Sequence, residues 1–283
     1  MLHDLKDSAA GPPTKSPVAN RDQDETSTLR IAGFGACMIT GYPHQGAGLF
    51  EVACEAVKER LARPVLSTVV SLGGFPAPRA EKYLRKKLFG FDPDYIVIQL
   101  GATDAQCPIR AASRPTNRGT PCINSHSSVG SAHYASSYHA QPARAFSPLR
   151  WHLASAIGHL RRIEPITPLP SYVAAILRMV EECRSEDIRP VVLSPFAYGS
   201  GYTTKKAAAY VDALRQLHNK YQDMIFVDCF GLLGGVPKIR ILQHDGFHLS
   251  PLGHNIVGQA VGKAIAEDFA KTRAGFQLSR SSA

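Results

Sequence analysis

Leu29-Arg30-Ile31-Ala32-Gly33-Phe34-Gly35 carries one charged side chain in seven positions and stops at a glycine. Ala36-Cys37-Met38-Ile39-Thr40-Gly41 follows, and Gly48–Ala62 then has the pattern of a helix. Runs of the same kind recur at Pro64–Leu72, Tyr95–Leu100, Pro190–Ser194 and Met224–Asp228. Each ends in glycine, proline or small polar residues, and the helix-like segments between them are Arg79–Phe89, Ser171–Ser185, Thr203–Tyr221 and Gly253–Arg273. A strand with one face in water alternates apolar and polar residues, whereas these runs are apolar throughout and need cover on both faces. Strands of that type alternating with helices predict an α/β fold, a five-stranded parallel sheet between two helical layers. Within Ser171–Ser185, Val173, Ile176, Leu177 and Val180 recur at three- and four-residue spacing and form one apolar face. Thr203 or Thr204 is the expected N-cap of the helix that reaches Leu217.

Working outward, the chain of 283 residues with 44% hydrophobic residues suits one large α/β domain over 29–273. Met1–Ser27 is polar and of mixed charge, with Gly11-Pro12-Pro13 and no apolar core of a secretory signal, so residues 1–28 are expected to be a disordered tail. Residues 274–283 are expected to be a flexible C-terminal tail. No apolar run approaches the ~20 residues of a membrane span. Six cysteines (37, 54, 107, 122, 183, 229) lack CxxC spacing, and free thiols in a cytoplasmic protein are expected rather than a disulfide framework. Cys54, Cys183 and Cys229 fall in apolar patterns, where cysteine serves as a small core residue. Cys107 and Cys122 flank one loop, where a disulfide is a weaker alternative.

The formal charge of +9 is concentrated in Ala105–Pro170. Seven arginines there (110, 114, 118, 144, 150, 161, 162) face Glu164 alone. A connection of about 65 residues between a strand and its helix is far beyond the usual ~2–6 and predicts a basic, lid-like insertion. Trp151–Arg162 within it has the pattern of a short amphipathic helix. Such a loop either attracts an anionic substrate, membrane or nucleic acid, or is simply a solvated basic surface. No nucleic-acid-binding motif accompanies it, so no nucleic-acid partner is expected. Arg110, Arg114, Arg118 and Arg144 suggest an anionic leaving group or a phosphate-bearing carrier.

Parallel sheets gather their chemistry at the carboxyl ends of the strands. The loops there carry Cys37, Gly74, Thr103-Asp104 and, farther on, Asp245-Gly246-Phe247-His248. A carboxylate and an imidazole three residues apart allow Asp245 to hold one ring nitrogen of His248 while the other faces a nucleophile. Bland readings stand beside this one: Cys37 as a small buried residue in a degenerate site, and Asp245/His248 as a structural hydrogen-bonded pair. Ser71 and Thr40 are alternative hydroxyl nucleophiles, and His254 reads as a helix-start residue rather than a second base. His244, Asp245, His248 and His254 cluster within eleven residues, but zinc needs three or four convergent ligands and the spacing lacks HExxH. No metal and no cofactor is expected.

Four segments together resemble the SGNH (GDSL-type) hydrolase family, in the family's order over about Leu29–Phe269. Gly35-Ala36-Cys37-Met38-Ile39-Thr40-Gly41 stands where the family has its Gly-Asp-Ser block, and Ser71-Leu72-Gly73-Gly74 where its oxyanion glycine lies. Gly101-Ala102-Thr103-Asp104 replaces Gly-x-Asn-Asp, and Asp245-Gly246-Phe247-His248 matches Asp-x-x-His. The resemblance implies a flavodoxin-like three-layer fold and hydrolysis or transfer of acyl esters or thioesters. It implies Cys37 as nucleophile in place of serine, His248 as base and Asp245 as its orienter. The oxyanion would be held by the N–H groups of Cys37 and Gly74 and by Thr103 in place of asparagine. The alternative is a degenerate domain of this family that binds an acylated or anionic ligand.

Overall fold

A computed structural model describes residues 28–42, 46–106, 156–157, 160, 163–198 and 201–281, apart from the side chains of 201–202 and those beyond 274. Five strands form one all-parallel sheet: β1 (Leu29–Gly35), β2 (Val65–Ser71), β3 (Tyr95–Gln99), β4 (Arg189–Leu193) and β5 (Ile225–Val227). Their order is β2-β1-β3-β4-β5, the flavodoxin-like arrangement in which the order reverses beside β1.

The continuous apolarity of the strands has its reason in two separate cores. Ile31, Val97, Val191 and Leu193 point to one face of the sheet, and Ala32, Phe34, Ile96, Ile98 and Val192 to the other. The first face is covered by α1 (Leu49–Leu61) and by the last helix of the chain. The second is covered by α2 (Ala77–Ala80), α3 (Leu84–Leu88), α4 (Leu169–Arg184) and α5 (Gly201–Lys220). Short helices α6 (Cys229–Gly234) and α7 (Lys238–Ile241) lead into α8 (Pro251–Ser281). Helices α1 and α8 approach closely because Gly258 and Gly262 leave room. A Cβ on Gly258 would lie 2.5 Å from that of Val52, and one on Gly262 2.5 Å from that of Ala56.

All five predicted strands form within a residue or two of their expected bounds. Four departures have local causes. Arg79–Phe89 is not one helix but α2, a 3₁₀ turn (Glu81–Tyr83), α3 and a second 3₁₀ turn (Phe89–Phe91). Thr203 and Thr204 lie inside the first turn of α5 rather than capping it, because the helix begins at Gly201. Thr204 Oγ1 instead donates to the Tyr198 carbonyl at 3.3 Å. The helices α6 and α7 escape the periodicity because six and four residues are too short to show it. Helix α8 continues to Ser281, so most of the expected 274–283 tail is helical, since no proline interrupts the run.

The expected tail over Met1–Ser27 lies outside the described residues, as does most of the Ala105–Pro170 insertion with its arginines 110, 114, 118 and 144 and the Cys107/Cys122 pair. Of the Trp151–Arg162 helix only Ala156, Ile157 and Leu160 are described, and these are helical. The two ends of the insertion meet at its base: Ile166 N–H donates to Gln106 O at 2.8 Å and Thr167 N–H to Asp104 O at 3.2 Å. Among the described residues, no helix is long and apolar enough to cross a membrane.

Candidate active site

Strand β1 ends beneath a tight backbone weave. Ala36 N–H donates to Gln99 O at 3.0 Å on one side, and Leu72 N–H donates to Gly35 O at 2.8 Å on the other. The chain then turns through a one-turn 3₁₀ helix, Cys37–Thr40, which closes at Gly41 in the left-handed conformation (φ 80°). Cys37 opens this turn and is partly exposed. Of the four cysteines among the described residues it is the only one not buried. Burial pushes the thiols of Cys54 and Cys183 up to about 12 and that of Cys229 up as well, so these three are core residues as expected. Cys37 is therefore the accessible sulfur of the four.

The loop after α7 is a small pinned hairpin. Leu242 bridges Leu249, Gln243 N–H donates to His248 O at 2.8 Å, and Gly246, with φ 68°, makes the turn. Asp245 Oδ1 accepts from the backbone N–H groups of Phe247 and His248, each at 2.9 Å. Its Oδ2 lies 2.6 Å from His248 Nδ1. On the other side of the ring, His248 Nε2 lies 3.3 Å from Cys37 Sγ. Residues 211 positions apart in sequence thus form one line of contacts: Cys37, His248, Asp245.

The electrostatics follow from that line. Burial alone would depress the His248 imidazolium, but hydrogen bonds to Asp245 and Cys37 and their charges outweigh it and raise its pKa from 6.5 to about 9. Burial likewise opposes ionisation of Asp245, and the bonds from His248 and from two backbone N–H groups outweigh it, leaving the carboxyl below its usual range. The raised pKa favours the ring as an imidazolium that donates from Nδ1 to Asp245 and from Nε2 toward the sulfur.

Gly74 and Thr103 lie just past the ends of β2 and β3, the two neighbours of β1 in the sheet, and so flank the Cys37 turn from both sides. A Cβ at Gly74 would meet nothing within 4 Å, so its backbone faces open space. Among the described residues no acceptor engages the N–H of Cys37 or of Gly74. Asp104, wholly buried, ties the two flanks together: its Oδ1 accepts from Ala77 N–H at 2.8 Å, three residues beyond Gly74. Burial pushes its carboxyl up.

The alternative nucleophiles are occupied elsewhere. Ser71 Oγ donates to Ala36 O at 3.4 Å and Thr40 Oγ1 to Cys37 O at 3.2 Å. His254 is buried in the first turn of α8, where its Nδ1 accepts the Leu49 N–H at 3.2 Å and so caps α1 from a distance. That is the helix-start position expected of it, with a tertiary role the sequence does not reveal. Among the described residues no three His, Cys, Asp or Glu side chains converge as a metal site. Sequence reasoning passed over the aromatic rings around the imidazole. Tyr42 stands edge-on to His248 at 5.5 Å between centroids, Phe247 at 5.0 Å, and Tyr198 edge-on to Phe247 at 4.9 Å. Phe247 was in plain view beside His248; Tyr198 had no local signal.

With this geometry in place, comparison with known proteins becomes informative. The model of the GDSL-like lipase/acylhydrolase family matches residues 32–256. No curated protein sequence matches at a significant level. Among solved structures, the chain is similar to a lipase/acylhydrolase from Enterococcus faecalis (TM-score 0.54, 17% identity, 85% of this chain and 96% of that one). It is also similar to a catalytic mutant of an acetylxylan esterase from Geobacillus stearothermophilus (TM-score 0.54, 14% identity, 84% and 94%). A lipolytic protein of the G-D-S-L family from Desulfitobacterium hafniense aligns with TM-score 0.50 at 13% identity over 83% and 99%. At such identities the likeness is one of fold.

Proposed function

The chain belongs to the GDSL-like lipase/acylhydrolase family, and from that premise we propose that it cleaves an acyl ester or thioester, or transfers its acyl group, with Cys37 as nucleophile, His248 as acid and base, and Asp245 as orienter. The observation that carries the reading is the unbroken line from Sγ through 3.3 Å to Nε2 and from Nδ1 through 2.6 Å to the Asp245 carboxylate. Cysteine is an able substitute for serine here, because a thiol beside an imidazole forms the thiolate readily and the thiolate is the nucleophile.

In this mechanism the Cys37 sulfur attacks the acyl carbonyl while its proton resides on His248 Nε2. The carbonyl π pair moves onto oxygen, and the oxyanion is met by the N–H groups of Cys37 and Gly74 and by the Thr103 hydroxyl. As the intermediate collapses, the bond to the leaving group breaks and His248 gives that group its proton. A thioester on Cys37 remains. Acylation removes the two contributions by which the Cys37 sulfur raises the His248 pKa. The ring is then a better match for its second task, taking a proton from water, or from an acceptor alcohol or thiol, as that nucleophile attacks the thioester. The C–S bond then breaks, releasing the acyl product and returning the Cys37 sulfur as thiolate beside the protonated ring. Asp245 holds one tautomer throughout.

Thr103 is the compromised member. Its hydroxyl donates a single hydrogen bond and is shorter than the asparagine amide it replaces. A missing oxyanion donor typically costs about 2.7–4 kcal/mol, a factor of roughly 10²–10³ in rate. The reading therefore predicts a slow enzyme on generic substrates. Arg110, Arg114, Arg118 and Arg144 of the insertion favour an anionic leaving group or a phosphate-bearing carrier.

The test is hydrolysis of a short p-nitrophenyl ester by wild type, Cys37→Ala, Cys37→Ser and His248→Ala, with labelling of free thiols alongside. Turnover by the wild type that disappears in both alanine variants supports the triad. Activity in Cys37→Ser alone would mean that the machinery persists without its nucleophile. No turnover, with Cys37 labelling no faster than the other thiols, would replace catalysis by ligand binding at this edge.

A further inference from the structure

Two parts of the proposed machinery stand on strands that do not touch. The block Gly101-Ala102-Thr103-Asp104 leaves β3, and the loop with Asp245 and His248 follows β5, while β4 runs between them in the sheet. Their separation must nevertheless be held to a fraction of an ångström if an oxyanion at Thr103 and a proton at His248 Nε2 are to serve one carbonyl. No backbone hydrogen bond among the described residues joins Gly101–Asp104 to Asp245–His248.

One side chain from the intervening connection spans the gap. Tyr198 lies five residues past the end of β4 and is 1% exposed. Its hydroxyl donates to the Ala102 carbonyl, the residue before Thr103. Its ring stands at 86° to Phe247 with centroids 4.9 Å apart, and Phe247 in turn stands at 88° to the His248 ring at 5.0 Å. Edge-to-face contacts of this kind fix ring orientation as well as distance. Thr204 Oγ1 donates to the Tyr198 carbonyl at 3.3 Å and anchors the residue's own backbone.

We propose that Tyr198 is a positioning residue that sets the oxyanion side and the base side of the site at one fixed separation, by its hydroxyl on Ala102 and by its ring through Phe247. This rests on the hydrolase reading above and adds a residue outside the four matching motifs. The two contacts have separable consequences. The hydroxyl governs where Thr103 sits, and the ring governs where His248 sits.

The experiment compares wild type, Tyr198→Phe, Tyr198→Leu and His248→Ala in three readouts: thermal unfolding, kcat and KM on a p-nitrophenyl ester, and the pH profile of Cys37 alkylation by iodoacetamide, followed on the Cys37 peptide by mass spectrometry. The alkylation profile reports the Cys37–His248 pair and needs no turnover. Tyr198→Phe should lower kcat about tenfold at unchanged KM, from displacement of the oxyanion donor, and keep the wild-type alkylation profile. Tyr198→Leu should lower kcat further and move the alkylation profile toward that of His248→Ala. A loss of stability alone would not move kcat per active site or the profile. If both variants fold and retain wild-type kcat and profile, Tyr198 is only a core residue and the proposal fails. Should the wild type show no turnover, an unmoved profile in Tyr198→Leu still overturns the positioning role. If His248→Ala also alkylates like wild type, it is the triad reading that fails. Should Tyr198→Leu not fold, Tyr198→Phe alone decides by its kcat.

Discussion

At the amino ends of the strands, polar groups answer one another. Arg30 at the start of β1 donates its backbone N–H to Asp94 at 2.7 Å and its Nε to Phe91 O at 2.9 Å. Tyr95 at the start of β3 and Arg189 at the start of β4 share one acceptor, Asp268 of α8, at 3.0 and 3.2 Å. Arg184 and Asp223 close the same edge. At the carboxyl ends the arrangement is different: a partly exposed thiol, an imidazole whose pKa is raised, and a glycine with open space beside its backbone. The large apolar side chains that remain exposed, Tyr42, Ile166, Leu232, Ile239 and Leu252 among them, also lie on connections that leave this edge. The amino edge spends its polar groups on cohesion, while the carboxyl edge keeps its groups available for another molecule.

That contrast is testable from both sides. The largest effect belongs to the carboxyl edge: Cys37→Ala and His248→Ala should each lower ester hydrolysis by a factor on the order of 10⁴–10⁶, as expected for triad members acting as a unit. Measured near pH 9, where the charge of His248 no longer contributes, their thermal midpoints should stay within a few degrees of wild type. A large drop in midpoint would show that this edge, too, serves stability. Next, Thr103→Asn should raise kcat, by up to roughly 10² if the amide reaches the oxyanion. A fall instead would mean that the pocket is shaped around threonine.

The amino edge should behave in reverse. Asp268→Ala leaves the hydroxyl of buried Tyr95 without its acceptor and should cost about 1–3 kcal/mol in urea unfolding, with kcat unchanged. An equal loss of activity would show that the two ends of the sheet are coupled. A pH dependence of stability completes the comparison. The His248 pKa is raised on folding from 6.5 to about 9. Its contribution is therefore fully present below about pH 6.5 and is lost as pH rises through about 9. The unfolding midpoint of wild type should fall across that window more steeply than that of His248→Gln, and parallel curves would deny the imidazolium its place between Asp245 and Cys37.

Much of this was legible before any coordinates. The strands stand out because two-sided burial removes polar residues from most positions, a pattern that survives in one dimension. Asp245 and His248 are legible because they stand three positions apart and a glycine turn brings them together. The broken helix between Ala77 and Phe91 was not, since apolar spacing does not record where α geometry gives way to 3₁₀. Nor was α6, although its cap, Asp228 accepting from Gly231 N–H at 2.9 Å, is a local signal that Asp-x-x-Gly carries.

The chain by itself determined the parallel sheet, the edge where chemistry gathers, and the side chains that stand there, because periodicity and turn residues are local consequences of backbone geometry and burial. Only the tertiary structure decided that Cys37 lies 3.3 Å from His248, that Ser71 and Thr40 point to carbonyls instead, that His254 caps α1, and that Tyr198 spans the loops after β3 and β5. These are contacts between segments far apart in sequence. Their distances are set by how strands stack across the sheet, which no local pattern of residues encodes.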